Sequence, residues 1–169
     1  MKPLIKNLLL LFLVFSGLTL KAQEIKAITF AEFEERSKSN NDTIYIFNFW
    51  ATWCKPCVAE LPHFDKIAED FKDKKVKVVF ISLDNALQKL RVENFIKERN
   101  LKSEVVLMKD TNYNDWIDKV DPSWSGAIPA TLVVNNKAGS RKFHEGDLNY
   151  EELKQLIITD KKQSCDEKF

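Results

Sequence analysis

The chain has 169 residues, 44% hydrophobic and 30% charged, with 26 basic and 25 acidic side chains for a net charge of +1. That length suits one domain with a proper core, and so small a charge argues against nucleic acid or an anionic membrane surface as a partner. Three cysteines are too few for a disulfide-built scaffold, and four glycines supply no Gly-rich phosphate loop. The fold must therefore stand on an apolar core, which twelve Phe and four Trp make aromatic.

At the N-terminus Lys2 and Lys6 precede eight uninterrupted apolar residues, Leu8 to Phe15. Ser16, Gly17 and Thr19 break the run, and Lys21-Ala22-Gln23 follows. This reads as a secretory signal peptide with cleavage near Ala22. Only fourteen residues separate Lys6 from Lys21, short of the ~20 a bilayer span needs. An uncleaved anchor in the inner membrane is the alternative. No cysteine near Ala22 offers a site for lipid modification. Removing residues 1–22 takes three lysines and no acid, which leaves 23 basic against 25 acidic side chains, net −2. The chain then divides into a signal peptide (1–22), one domain (23–160) and a polar tail (161–169).

Thr29-Phe30-Ala31-Glu32 is a capping-box pattern that opens a helix over 30–38. Thr43 to Trp50 is nearly all apolar and predicts a strand buried on both faces. From Pro56 to Lys72 the period turns helical, with Cys57, Leu61, Phe64, Ala68 and Phe71 on one stripe and Ile67 beside it. Pro62 should kink this helix. Val76 to Leu83 is a second strand. Leu87 to Asn100 is a helix with Leu90, Phe95 and Ile96 inward, and Glu104 to Met108 is a short strand. A weak helical segment, 114–120, leads into the loop Asp121 to Gly126. Thr131 to Val134 and Ser140 to Glu145 form a hairpin, and Asn149 to Thr159 closes the chain as a helix. The order implies an α/β fold, a mixed central sheet flanked by helices.

Two of the cysteines lie in Phe49-Trp50-Ala51-Thr52-Trp53-Cys54-Lys55-Pro56-Cys57. A strand ends before them and a helix begins at them, so Cys54 sits at a helix N-terminus with Cys57 one turn in. Pro56 suits that first turn, where a missing N–H costs nothing. The i, i+3 spacing brings the two Cα atoms within disulfide reach. Lowering a thiol from about 8.5 to about 7 takes ~2 kcal/mol, and a helix dipole gives typically ~0.3–1 kcal/mol. Direct N–H···S contacts from residues near Cys57 must supply the remainder. Cys54 is then the attacking sulfur, and Cys57, on the inward stripe, the resolving one. Two other readings stand beside this one. A staple closing so short a loop gives only ~2 kcal/mol. A zinc site needs four ligands, for which Cys165, His63 and His144 are the remaining candidates.

FWATWCKPC resembles the active-site segment of thioredoxin-like proteins, and most nearly the exported TlpA/ResA branch of thiol–disulfide oxidoreductases. The resemblance spans Ile25 to Ile158 and implies a thioredoxin fold in which Leu87 to Asp110 is an inserted αβ unit. It implies that Ile128-Pro129-Ala130-Thr131 is the cis-proline segment. There Pro129 would face the cysteines, Ile128 would offer its backbone to an extended substrate, and metals would be kept off the sulfurs. It also implies a role for Glu60, three residues after the second cysteine, as the proton carrier for Cys57. Position alone reads Glu60 equally well as a surface glutamate. Ordinary thioredoxins carry a buried Asp six residues before the first cysteine, where this chain has Asn48, which cannot titrate. Trp50 and Trp53 are candidates to wall the site, Trp53 the more exposed, with core packing the alternative for either. Cys165 reads as a free thiol in the tail.

The resemblance implies a periplasmic reductase of disulfides in exported proteins, with cytochrome c maturation as one setting. A membrane donor would supply its electrons, and no organic cofactor or metal is needed. The alternatives are a disulfide-forming oxidant or isomerase, and a copper-binding thiol module, whose extra Met, His or Cys near the pair is absent. Peroxide reduction is disfavoured, because Phe47 and Ala51 stand where peroxiredoxins place Pro and Thr. The loop 118–126 is longer than a plain thioredoxin needs, which unsettles any substrate carried over.

Overall fold

The strand Ile44–Trp50 (β2) organises the molecule, because its side chains are apolar on both faces. Ile44, Ile46 and Trp50 join one core cluster, and Phe47 and Phe49 join a second on the opposite face. Only a strand covered on both sides can carry such a run. The covering is seen in a computed structural model that describes residues 25–166. The expected signal peptide lies outside them.

The other strands are β1 (Lys26–Ile28), β3 (Val76–Ser82), β4 (Glu104–Met108), β5 (Ala130–Asn135) and β6 (Ser140–Glu145). They form one six-stranded sheet in the order β1-β4-β3-β2-β5-β6. The pairs β1–β4, β4–β3 and β3–β2 are parallel, and β2–β5 and β5–β6 antiparallel. The helices are α1 (Phe30–Ser37), α2 (Lys55–Asp70), α3 (Lys89–Arg99), the single turn α4 (Ile117–Val120) and α5 (Tyr150–Asp166). Leu61, Phe64 and Ile67 of α2, Val92 and Ile96 of α3, and Leu153 and Ile157 of α5 pack on one face. Phe30 and Phe33 of α1, Val120 of α4, Trp116 and Trp124 pack on the other. The mixed sheet with helices on both faces is the expected architecture. Its inserted unit, α3 with β4, places β4 between β1 and β3.

Local chemistry explains the element ends. Thr29 caps α1 with a reciprocal capping box to Glu32. Lys75 and Asn100, both with positive φ, end the turns after α2 and α3. The closing helix α5 extends past the predicted Thr159 to Asp166, because the residues after Thr159 contain no Gly or Pro to stop it. The three-residue β1 is too short to leave a periodic signal.

Two expectations about packing are corrected. Leu90 does not face inward: it is 75% exposed, and Leu87 is 94% exposed. A 3₁₀ turn, Ala86–Gln88, precedes α3 and sets its phase. Val92, Phe95 and Ile96 then form the inward stripe, and Leu90 stands about 200° round the helix from Val92. Trp50 does not wall the site either. It is fully buried, with its ring 5.3 Å from that of Phe95 and 6.3 Å from that of Phe80. The loop that is longer than a plain thioredoxin needs is anchored in the core through Trp124. Trp124 packs 4.7 Å from the Phe49 ring and 5.6 Å from that of Phe143, and its Nε1–H donates to the Ala127 carbonyl at 2.8 Å.

The helix phase makes a direct prediction. Ile96→Ala, which leaves a hole beneath α3, should lower unfolding free energy by ~2–5 kcal/mol. Leu90→Ala should change it by no more than ~0.5 kcal/mol. Urea denaturation of the two variants checks both.

Candidate active site

The carboxyl ends of β2 and β3 meet in register at Trp50 and Ser82. Two residues beyond each, Thr52 and Asp84 are bound together. Asp84 accepts from the Thr52 N–H at 2.9 Å, the Thr52 Oγ1–H at 2.6 Å and the Ser82 Oγ–H at 2.9 Å. Asp84 is buried, and these donors satisfy its oxygens. The bonds fix the segment that carries Trp53 and Cys54. Sequence reasoning missed Asp84; the signal was an acid standing just past an apolar strand, level with the cysteine loop.

Cys54 is the N-cap of α2, and its sulfur accepts from the Cys57 N–H at 3.3 Å. This is a direct N–H···S contact of the kind the energy argument required. Cys54 and Cys57 form a disulfide, with Cα atoms 5.3 Å apart. Cys57 is fully buried and Cys54 is 6% exposed, so Cys54 is the sulfur nearer solvent. Trp53, beside it, is 59% exposed. The Ile128–Pro129 peptide is cis, and the Ile128 carbonyl oxygen lies 3.7 Å from Cys54 Sγ. The structure thus brings Trp53, Cys54, Cys57, Ile128 and Pro129 to one place. The Pro129 carbonyl accepts from the Gly146 N–H at 2.9 Å, which ties this segment to the end of β6.

Glu60, one turn after Cys57 on α2, is 2% exposed. Its Oε1 accepts from Asn48 Nδ2–H at 2.7 Å, and its Oε2 from the Leu148 N–H at 2.8 Å. Asn48 also donates to Thr131 Oγ1 at 3.2 Å. Burial pushes the Glu60 carboxyl up to about 7, with the negative charge of Asp147 in the same direction. The hydrogen bonds from Leu148 and Asn48 pull the other way. The surface alternative for Glu60 fails on its burial. Asn48 stands where thioredoxins bury an Asp, but neither its bond to Glu60 nor the presence of Thr131 beside it was expected. They arrive because β2 and β5 place them opposite each other in register. Among the described residues no group of three or more His, Cys, Asp and Glu side chains is placed to hold a metal ion.

Residues 15–139 match the AhpC/TSA family. The chain belongs to that family. Its curated relatives are thioredoxin-like redox proteins. The sporulation thiol-disulfide oxidoreductase A of Bacillus subtilis is 30% identical over 125 residues, covering 73% of this chain and 72% of that one. The thiol-disulfide oxidoreductase ResA of Oceanobacillus iheyensis is 32% identical over 108 residues, 64% of this chain and 52% of that one. The chain spans about half the length of that ResA relative. Among solved structures, StoA from Bacillus subtilis aligns at 31% identity and a TM-score of 0.55, over 70% of this chain and 84% of that one. A thioredoxin-related protein from Neisseria meningitidis serogroup B aligns at 27% identity and a TM-score of 0.64, over 73% and 89%.

The buried carboxyl predicts a pH-dependent stability. In the unfolded chain Glu60 loses its proton near 4.5, while the folded disulfide form holds it to about 7. Between these values the folded state binds the extra proton, so stability is greatest at the acid end and falls as pH rises through about 7. At 1.36 kcal/mol per unit the loss is about 3 kcal/mol. Glu60→Gln should not show it, so the two proteins should diverge over this window, with the variant the more stable above pH ~7. Glu104, held down to about 2 by its hydrogen bond to Arg36, gives the opposite slope at lower pH. That slope is common to both proteins and cancels in the difference. Unfolding free energies measured from about pH 4.5 to 8 check the divergence.

Proposed function

We propose that this chain is a thiol–disulfide oxidoreductase of the ResA and StoA type that reduces disulfides in exported proteins. The observation that carries the proposal is the Cys54–Cys57 disulfide at the α2 N-terminus, with Ile128-Pro129 over it and buried Glu60 one turn behind. The position of a sulfur at a helix start, receiving an N–H, favours the thiolate that exchange chemistry needs.

In the reduced enzyme the Cys54 thiolate attacks a client disulfide. A Cys54–client bond forms, the client S–S bond breaks, and one client thiolate leaves. Cys57 then passes its proton to the Glu60 carboxylate and attacks Cys54. The mixed disulfide breaks, the second client thiolate leaves, and the Cys54–Cys57 disulfide forms. Two electrons have moved from the enzyme dithiol to the client. A carboxyl poised near 7 is matched to this task, since it can take a proton at neutral pH and return it. Trp53, exposed beside the sulfur, and the backbone of Ile128 are the surfaces an extended client segment would meet.

The charged n-region, short apolar core and Ala22 site support export to the periplasm with cleavage near Ala22. A reductase there needs a membrane donor to recharge the pair. Apocytochromes awaiting haem, with their paired thiols, are one group of clients that fits. Among the described residues no helix is long and apolar enough to cross a membrane.

The reduction potential of the Cys54–Cys57 couple, with Cys165→Ser, tests the direction. A value near thioredoxin's, about −270 mV or lower, is expected; one near about −120 mV would overturn the reductase reading. Cys57→Ser should trap the client mixed disulfide, and Cys54→Ser should form none. Glu60→Gln should slow the resolving step ~10²-fold or more at neutral pH. Quenched mixed-disulfide gels read all three.

A further inference from the structure

We propose that Asn48 is a positioning residue for the redox reaction: its amide presents Nδ2–H to ionised Glu60 and turns over to present Oδ1 when Glu60 takes up a proton. The proposal rests on the reading of Glu60 as the proton carrier.

The argument starts from which oxygen can be protonated. Glu60 Oε2 accepts from the Leu148 backbone N–H at 2.8 Å. A backbone N–H can only donate, and a carboxyl's carbonyl oxygen accepts better than its hydroxyl, so this bond favours Oε2 as the carbonyl oxygen. The proton therefore belongs on Oε1. That oxygen faces Asn48 Nδ2 at 2.7 Å, which is also a donor. A protonated Oε1 in this arrangement would meet donor with donor inside a buried pocket.

Asn48 carries the remedy. It is fully buried, and its Oδ1 has no hydrogen-bond partner. An orphaned acceptor beside a group built to gain a proton calls for an explanation. A half-turn of the amide exchanges Nδ2 and Oδ1. Oδ1 then accepts from the protonated Oε1. Thr131 Oγ1, which now accepts from Nδ2 at 3.2 Å, can donate to Oδ1 instead, because a hydroxyl does both. The same residues thus serve Glu60 in either charge state.

The two states are unequal. With Glu60 ionised, the unpaired atom is a carbonyl oxygen. With Glu60 protonated, it is an NH₂ group, and buried N–H donors are left unpaired more rarely than carbonyls. Asn48 therefore favours the carboxylate and opposes the desolvation that raises Glu60, the direction found for it. The other groups around the pocket are Asp147, next to Leu148, His144 of β6, in register with Thr131, and Cys57, one turn back on α2. Phe80 faces Asn48 from β3 and is apolar.

Labelled protein in the disulfide form provides the test, with NMR following Glu60 Cδ and the Asn48 side-chain amide through about pH 5–9. The Asn48 amide should titrate with the same midpoint as Glu60 Cδ. Asn48→Leu should raise the Glu60 midpoint by roughly one to two pH units and shift the pH profile of the resolving step equally. Asn48→Asp, nearly the same shape, should convert the single titration into two coupled steps. It keeps the test decisive if the leucine variant folds poorly. An Asn48 amide that stays still while Glu60 titrates, or a Glu60 midpoint unmoved in Asn48→Leu, overturns the proposal and leaves the proton-carrier role of Glu60 standing. Unchanged turnover in Glu60→Gln would instead remove that role.

Discussion

A carboxyl group shut away from water is the constraint on which this structure turns. Glu60 is 2% exposed, and its hydrogen-bond donors among the described residues are one backbone N–H and one amide. Each comes from a different element. The helix α2 supplies Glu60, the central strand β2 supplies Asn48, and the loop between β6 and α5 supplies Leu148. A slip of any one by a residue would take at least one donor from a buried acid, at a cost of about 1–3 kcal/mol. The carboxyl thus helps fix the seating of α2 on the sheet, and with it the place of both cysteines.

The disulfide is held from the other side by a second buried acid. Asp84 receives three donors, two of them from Thr52, just before Trp53 and Cys54. The segment from Trp50 to Cys57 is therefore pinned at its strand end by Asp84 and at its helix end by Glu60. Between the pins Trp53 is left exposed, and the cis Ile128–Pro129 segment brings a carbonyl to 3.7 Å from Cys54. Asp84 has three donors. Glu60 has two, too few to offset its burial, and so its carboxyl is pushed up to about 7.

Much of this was legible in the sequence, and what was not has a common cause. The cysteine pair could be placed because a strand period and a helix period meet there, which is local information. Glu60, Trp53, Ile128 and Pro129 followed from a resemblance carried by contiguous motifs. Asp84, Asn48 as a hydrogen-bond donor to Glu60, and Thr131 were not found, because their partners lie on other strands and register is a long-range property. Leu90 was misplaced for a smaller reason. Its face depends on where the helix starts, and the 3₁₀ turn at Ala86–Gln88 moved that point. Trp50 and Trp53 look alike in sequence, yet one ends a buried strand and the other begins a loop.

The asparagine at position 48 shows why the pocket is arranged as it is. An acid there would stand 2.7 Å from Glu60 if its oxygen took the place of Nδ2, and two carboxylates so close cannot both ionise. An apolar residue would leave Glu60 with Leu148 alone and drive its proton affinity higher. The amide is the neutral group of this size that offers donor and acceptor on one rotatable plane. It lets a strand interior hold a titrating group without holding a second charge. The same economy explains the one orphaned oxygen: a site that satisfied every atom in one protonation state of Glu60 would resist the other.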